Sequence, residues 1–211
     1  MSKRGFTLIE LMIVIGIISL LAVALLPSII GAKTKAAVTE TKARIQHLQA
    51  VIESFERGSR RGYYPPDNFI APAQDFPEKP KIDTVNPGIE SLLFFTHVKK
   101  LGITLVDDKQ SWLDNTDNDD AGVMIEMLQT TKKMEVVDAW GTPFAYFTSA
   151  NDGYKKPQRI KRKEGDEVQA SALKDPKTGA WLNPRTYQIV SAGPDQTFGT
   201  EDDVSYPELG Q

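Results

Sequence analysis

Between Phe6 and Ile30 the chain carries a single charged side chain, Glu10, in a run that is otherwise almost wholly apolar. No other feature limits the fold so strongly. As a helix, the twenty residues from Leu11 to Ile30 would span about 30 Å, the thickness of a bilayer's hydrocarbon core. A carboxylate within such a span costs at least about 2.5 kcal/mol, so Glu10 needs a reason. A secretory signal would use Lys3 and Arg4 as its basic region and Ala22-Val23-Ala24 as its cleavage site. Its apolar stretch, however, is normally about 7–15 residues, and this one is longer and holds an acid. A plain membrane anchor explains the length and leaves Glu10 unexplained. The flanks do not orient it, because Lys3 and Arg4 precede the run and Lys33 and Lys35 follow it.

The remaining chain suits one moderate domain within a total of 211 residues. Net charge is −3 and no strongly basic tract is present, which excludes nucleic acid as the main partner, since phosphate binding needs clustered Lys and Arg. Cysteine is absent. Disulfides, thiolate chemistry and Cys-ligated zinc are thereby excluded together, and an exported domain must find rigidity elsewhere, for example in a bound metal.

Past Pro27 and Gly31 the pattern becomes amphipathic. Val38, Thr41, Ile45, Leu48, Ile52 and Phe55 recur at spacings of three and four, one face of a helix. Arg44 and most other charged residues are expected on the opposite face. The helix is predicted from Phe6 to about Glu56, with a bend or local unwinding at Pro27. Residues 63–87 read as a long loop. "NPGIESLLFFTHVKKLG" predicts a short helix over about 88–100, and a second helix is expected over about 123–133. The acidic stretch from Asp114 to Gly122 fails the EF-hand spacing, because Leu128 stands where the ligating Glu belongs. A solvated loop is the expectation there, and likewise for "KKPQRIKRKEGDE". His47 and His97 have no nucleophile or metal-pair spacing beside them and read as surface or packing residues. No catalytic arrangement and no phosphate-binding glycine loop is present, so the chain reads as a non-enzyme.

Asp195, Glu201, Asp202 and Asp203 gather in a glycine-punctuated loop after a predicted strand over 186–191. Hard oxygen donors on a tight loop suit calcium; the alternative is an acidic, solvated tail.

Three stretches then converge on one family. "RGFTLIELMIVIGII" resembles the processing signal of type IV pilins and type II secretion pseudopilins, with a basic leader ending in Gly, an aromatic residue, and Glu four residues beyond it. "DAWGTPFAY" (Asp138, Trp140, Gly141, Pro143, Phe144, Tyr146) is similar to an element of the major pseudopilins, G-type. "SAGPDQTFGTEDD" resembles their calcium loop. The resemblance implies an α+β, pilin-like fold: a long N-terminal helix, transmembrane in its first half, packed on a small antiparallel sheet. It implies a leader over residues 1–5, a transmembrane and assembly helix over 6–30, an amphipathic half over 31–57 and a periplasmic head over 58–211. Prepilin peptidase would cleave between Gly5 and Phe6 and methylate the new amine. Glu10 would pair with the Phe6 amine of a neighbouring copy in a helical filament. Calcium would be held by the Ala192 carbonyl, Asp195, Asp202 and Asp203. Partners would be copies of the chain, minor pseudopilins and an inner-membrane assembly platform. A type IV pilin of a surface filament, or an anchored enzyme or calcium-dependent binding domain, are the rival expectations.

Overall fold

A computed structural model describes residues 7–58, 63–70, 81–82, 84–98, 110–125 and 127–209, and of residues 24–27, 98 and 110 the backbone alone. Gly5 and Phe6 lie outside the described residues. Contacts divide the chain into two compact units, Met1–Ala37 and Val38–Gln211.

The long helix α1 runs Leu8–Gly58. In the first unit its side chains over 8–23 and 28–33 are exposed, among them Leu8, Ile9, Leu11, Ile18, Leu20 and Leu21. A helix that is apolar on every side and exposed at its described side chains needs an apolar surrounding. This one is long and apolar enough to cross a membrane. The helix continues through residue 27, so the local unwinding expected at Pro27 is not seen.

Among its described residues the second unit contains α2 (Pro87–Val98) and nine short strands: β1 (Leu113–Asp114), β2 (Asp120–Ile125), β3 (Thr130–Lys132), β4 (Glu135–Val136), β5 (Ala145–Thr148), β6 (Gln158–Lys161), β7 (Glu167–Ala170), β8 (Tyr187–Ser191) and β9 (Val204–Tyr206). The largest sheet is antiparallel in the order β5-β8-β9, with Ala145 opposite Val190 and Val190 opposite Ser205. Every residue of β5 and β8 is buried, because both faces of the sheet are covered. Tyr146, Ile189 and Val204 pack with Ile45, Leu48, Ile52 of α1 and Ile89, Leu92 of α2. On the other face Phe147 and Val190 pack with Ile160 of β6 and Ala170 of β7. Phe55, Phe69, Phe94, Phe95, Ala121 and Ile125 close a third cluster. The predicted stripe of α1 is thus core, and the chain is α+β with a long N-terminal helix and small antiparallel sheets.

Three expectations need correction. Residues 123–133 are not a helix but the hairpin β2–β3, closed through Gln129 at φ 53°. Val123, Ile125, Thr130 and Thr131 are β-branched, and they favour a pleated surface over a helix. The basic stretch over 155–167 is no solvated loop. It forms the antiparallel pair β6–β7, with Arg159 Nε donating to Glu167 at 2.8 Å, and its alternation sends Ile160 to the core and Arg159 outward. The acidic stretch 114–122 is also tied into the fold. Asp114 lies in β1 and pairs with Lys163 at 2.9 Å, Thr116 is buried, and Asp119 pairs with the buried Lys133.

Candidate functional site

Glu10 stands at the start of α1, where four backbone N–H groups have no partner within the helix. Thr7 precedes the helix and its carbonyl accepts the first helical bond, from Leu11 N at 3.2 Å. The Glu10 carboxylate accepts from Thr7 N at 2.8 Å and from Thr7 Oγ1 at 2.7 Å, and Thr7 Oγ1 accepts from Glu10 N at 3.3 Å. This is the reciprocal capping box of a Thr-x-x-Glu sequence. The Thr-x-x-Glu spacing that makes this box is legible in the sequence itself.

The turn 138–143 docks on the amphipathic half of α1. Asp138 is buried; it accepts from Trp140 N and Thr142 N, both at 2.9 Å, through one oxygen, and from Ser191 Oγ at 2.7 Å through the other. Burial raises its pKa, against those hydrogen bonds and the Arg44 charge. Arg44 Nη1 donates to the carbonyls of Val137 (2.6 Å) and Asp138 (2.9 Å), and Thr41 Oγ1 accepts from Ala139 N at 3.2 Å. Tyr146 donates to the Pro65 carbonyl at 2.8 Å. Asp138, Trp140, Gly141, Pro143, Phe144 and Tyr146 therefore join helix, turn and central sheet.

In the C-terminal loop Asp195 is exposed, Asp202 and Asp203 are half-buried and Ala192 is buried. Asp195 N donates to Asp202 Oδ2 at 3.1 Å, Thr197 N to Asp195 Oδ1 at 2.8 Å, and Gly199 N to Asp203 Oδ2 at 2.8 Å. Thr200 Oγ1 donates to Asp202 Oδ1. The other oxygen of Asp203, Oδ1, is buried with no hydrogen-bond partner. Burial, with the charges of Asp202 and Asp195 added, pushes the Asp203 carboxyl up to about 6. Gly193 has φ +63°, and a Cβ there would come within 2.2 Å of the Asp202 carbonyl oxygen. The loop thus holds Asp195, Asp202 and Asp203 on one tight turn, with their carboxylate oxygens not all within 4.8 Å of one another.

A second acidic group lies inside the unit. Glu90 of α2, Asp117 and Glu135 of β4 each place a carboxylate oxygen within 4.8 Å of the others. Among the described residues no other trio of His, Asp or Glu side chains converges so closely, and neither histidine joins it. Glu135 is firmly held, accepting from Asn86 Nδ2 at 2.9 Å and from Thr116 N at 3.0 Å. Burial, reinforced by Asp119 and Glu135 and opposed by Lys133, pushes the Glu90 carboxyl up to about 11; burial likewise pushes Glu135 up to about 8. The sequence offered one signal, an acid inside the apolar run Ile89 to Phe95.

A family model described as "Prokaryotic N-terminal methylation motif" matches residues 1–26. The type II secretion system core protein G of Escherichia coli (strain K12) is 23% identical over 203 residues, which covers 96% of this chain and 90% of that protein. The chain is thus similar to type IV pilins in its N-terminal motif and to a type II secretion protein over most of its length. No solved structure matches it significantly. The similarity to the Escherichia coli protein spans the apolar helix, the Asp138 turn and the C-terminal loop, and so rests on more than the N-terminal motif. The exposed apolar helix and the motif fit a single-pass, membrane-anchored protein.

Proposed function

We propose that this chain is a structural, non-catalytic subunit that polymerises into a periplasmic pseudopilus for type II protein secretion. The observation that carries the reading is similarity to a type II core protein over nearly the whole chain, joined to an apolar helix opened by Glu10. Prepilin peptidase would remove residues 1–5 and methylate the Phe6 amine, which keeps its charge. That amine of one copy and Glu10 of another each cost much alone in a low-dielectric core, and pairing them offsets the cost. A head-to-tail contact of this kind does not close on itself and generates a helical filament. The subunit would sit in the inner membrane with its head in the periplasm, among copies of itself and minor pseudopilins, on an inner-membrane assembly platform.

Calcium fits the donor set of the C-terminal loop. The Ala192 carbonyl, Asp195, Asp202 and Asp203 are hard oxygen donors, and the buried Asp203 Oδ1 lacks any other partner. The ion would neutralise the loop's repelling carboxylates. The residues' own part is to fix the turn, through the bonds from Thr197, Gly199 and Thr200.

A type IV pilin of a surface filament is the second reading, because the methylation motif is shared by that family. Localising epitope-tagged filaments separates the two: periplasmic threads support secretion, and surface fibres support the rival.

The capping box dictates how Glu10 is tested. Glu10→Gln keeps a capping side chain and removes the charge, whereas Glu10→Ala removes both. Membrane fractionation should show both variants inserted, and cross-linking should show polymers lost in both. Wild-type polymer from Glu10→Gln would reject the charge-pair mechanism.

A further inference from the structure

Glu90 is a carboxylate with its side chain wholly enclosed, and neither of its oxygens receives a hydrogen bond. The cost of burying such a group without a hydrogen bond is several kcal/mol. Lys133 is 2% exposed and stands 3.6 Å from Glu90, but its short contact, 2.5 Å, goes to Asp119. The fold draws one carboxylate oxygen from each of Glu90, Asp117 and Glu135 to within 4.8 Å of the others. Opposite ligands of a calcium ion, at about 2.3–2.6 Å each, have this spread.

The surroundings hold the group in place. Asn86 Nδ2 donates to both Thr116 Oγ1 and Glu135 Oε1, and its Oδ1 accepts from Lys161 N. Thr116 in turn donates to the Lys161 carbonyl at 2.7 Å. The arrangement ties the residue before α2, the turn after β1, and strands β4 and β6 around one point. Asp117 and Asp119 are only half-buried, whereas Glu90 and Glu135 are buried. The donors are all oxygen, as a hard divalent ion prefers.

We infer that Glu90, Asp117 and Glu135 form a second cation site, for a divalent ion of calcium's size, with Lys133 competing for the same carboxylates. The site shares no residue with the C-terminal loop and does not depend on the chain's role in a filament. The competing account is that Glu90 shares a proton with a neighbouring carboxylate and binds nothing.

The test uses the full chain in detergent micelles, carrying Asp195→Asn and Asp202→Asn to disable the loop. Calcium bound per chain is measured by equilibrium dialysis and metal quantification. One ion should remain in this background and raise the thermal midpoint. Adding Glu90→Gln should weaken binding at least tenfold, and Lys133→Met should tighten it at least threefold. Asp117→Asn, at the half-buried edge, should also weaken it tenfold and keeps the test independent of whether E90Q folds. No ion bound in the loop-disabled background overturns the inference. So does an ion whose affinity is unchanged by both E90Q and D117N.

Discussion

Arg44 shows how a single residue can defeat a periodicity argument. Its spacing puts it near the polar side of the helix, yet it is 7% exposed, with its guanidinium over the Trp112 ring at 5.3 Å and its donors on the Val137 and Asp138 carbonyls. A rigid fork of donors suits such a buried junction, and no pattern of apolar letters can announce it. His97 is a second polar residue absorbed by the core. Its Nδ1 lies 2.9 Å from the Leu93 carbonyl, and burial pulls its pKa down to about 4. The native state therefore binds fewer protons than the unfolded chain between pH 6.5 and about 4. Stability from this residue is complete above pH 6.5 and falls as the pH drops through that window, by about 3 kcal/mol in all. Burial raises the carboxyls of Asp67 and Asp138, which act in the opposite direction, so the comparison must be with a variant. Urea unfolding of wild type and His97→Asn at pH 7 and pH 4 should show the stability difference between them changing by that amount. A constant difference would remove His97 from the account.

Among the elements, those that obeyed a simple period were legible. The core stripe of α1, the short helix α2 and the strand β8 all follow from the spacing of apolar residues. The hairpins β2–β3 and β6–β7 were not legible, because their strands are short, carry many charged residues and gain their shape from what they cover. Ile160 and Ala170 have meaning only once the back of the β5-β8-β9 sheet is there to be capped. The same dependence explains the site residues. Asp195, Asp202 and Asp203 lie close in sequence and could be read together, whereas Glu90, Asp117 and Glu135 come from three distant segments. The approach of α2 to the sheet is close as well. A Cβ on Gly88 would meet the Tyr146 carbonyl oxygen at 2.2 Å and Gln158 Oε1 at 2.5 Å. Gly88→Ala should therefore lower stability by about 2–3 kcal/mol or more, read by denaturant unfolding. Gly16→Ala, where nothing lies within 4 Å, serves as the control and should leave the second unit unchanged.

At the scale of the whole molecule, a chain without cysteine holds its second unit together by three apolar clusters and a few buried polar knots. The two calcium sites proposed above would add to these by mass action, about 2.7 kcal/mol each at a hundredfold excess over the dissociation constant. The thermal midpoint of the full chain in detergent should rise steadily with calcium concentration and fall on addition of a chelator. An unchanged midpoint between chelator and millimolar calcium would count against both sites.

The reciprocal bonds between Thr7 and Glu10 bear on how such a chain could join another. A carboxylate already satisfied by its own helix enters a new contact by exchanging partners, so the free energy released is only the difference between two bonded states. Docking of that kind would be shallow and readily undone. Its extent would depend on how crowded the subunits are in the plane of the membrane, with a threshold density below which a growing end recedes and returns its subunits, already capped, to the surrounding pool.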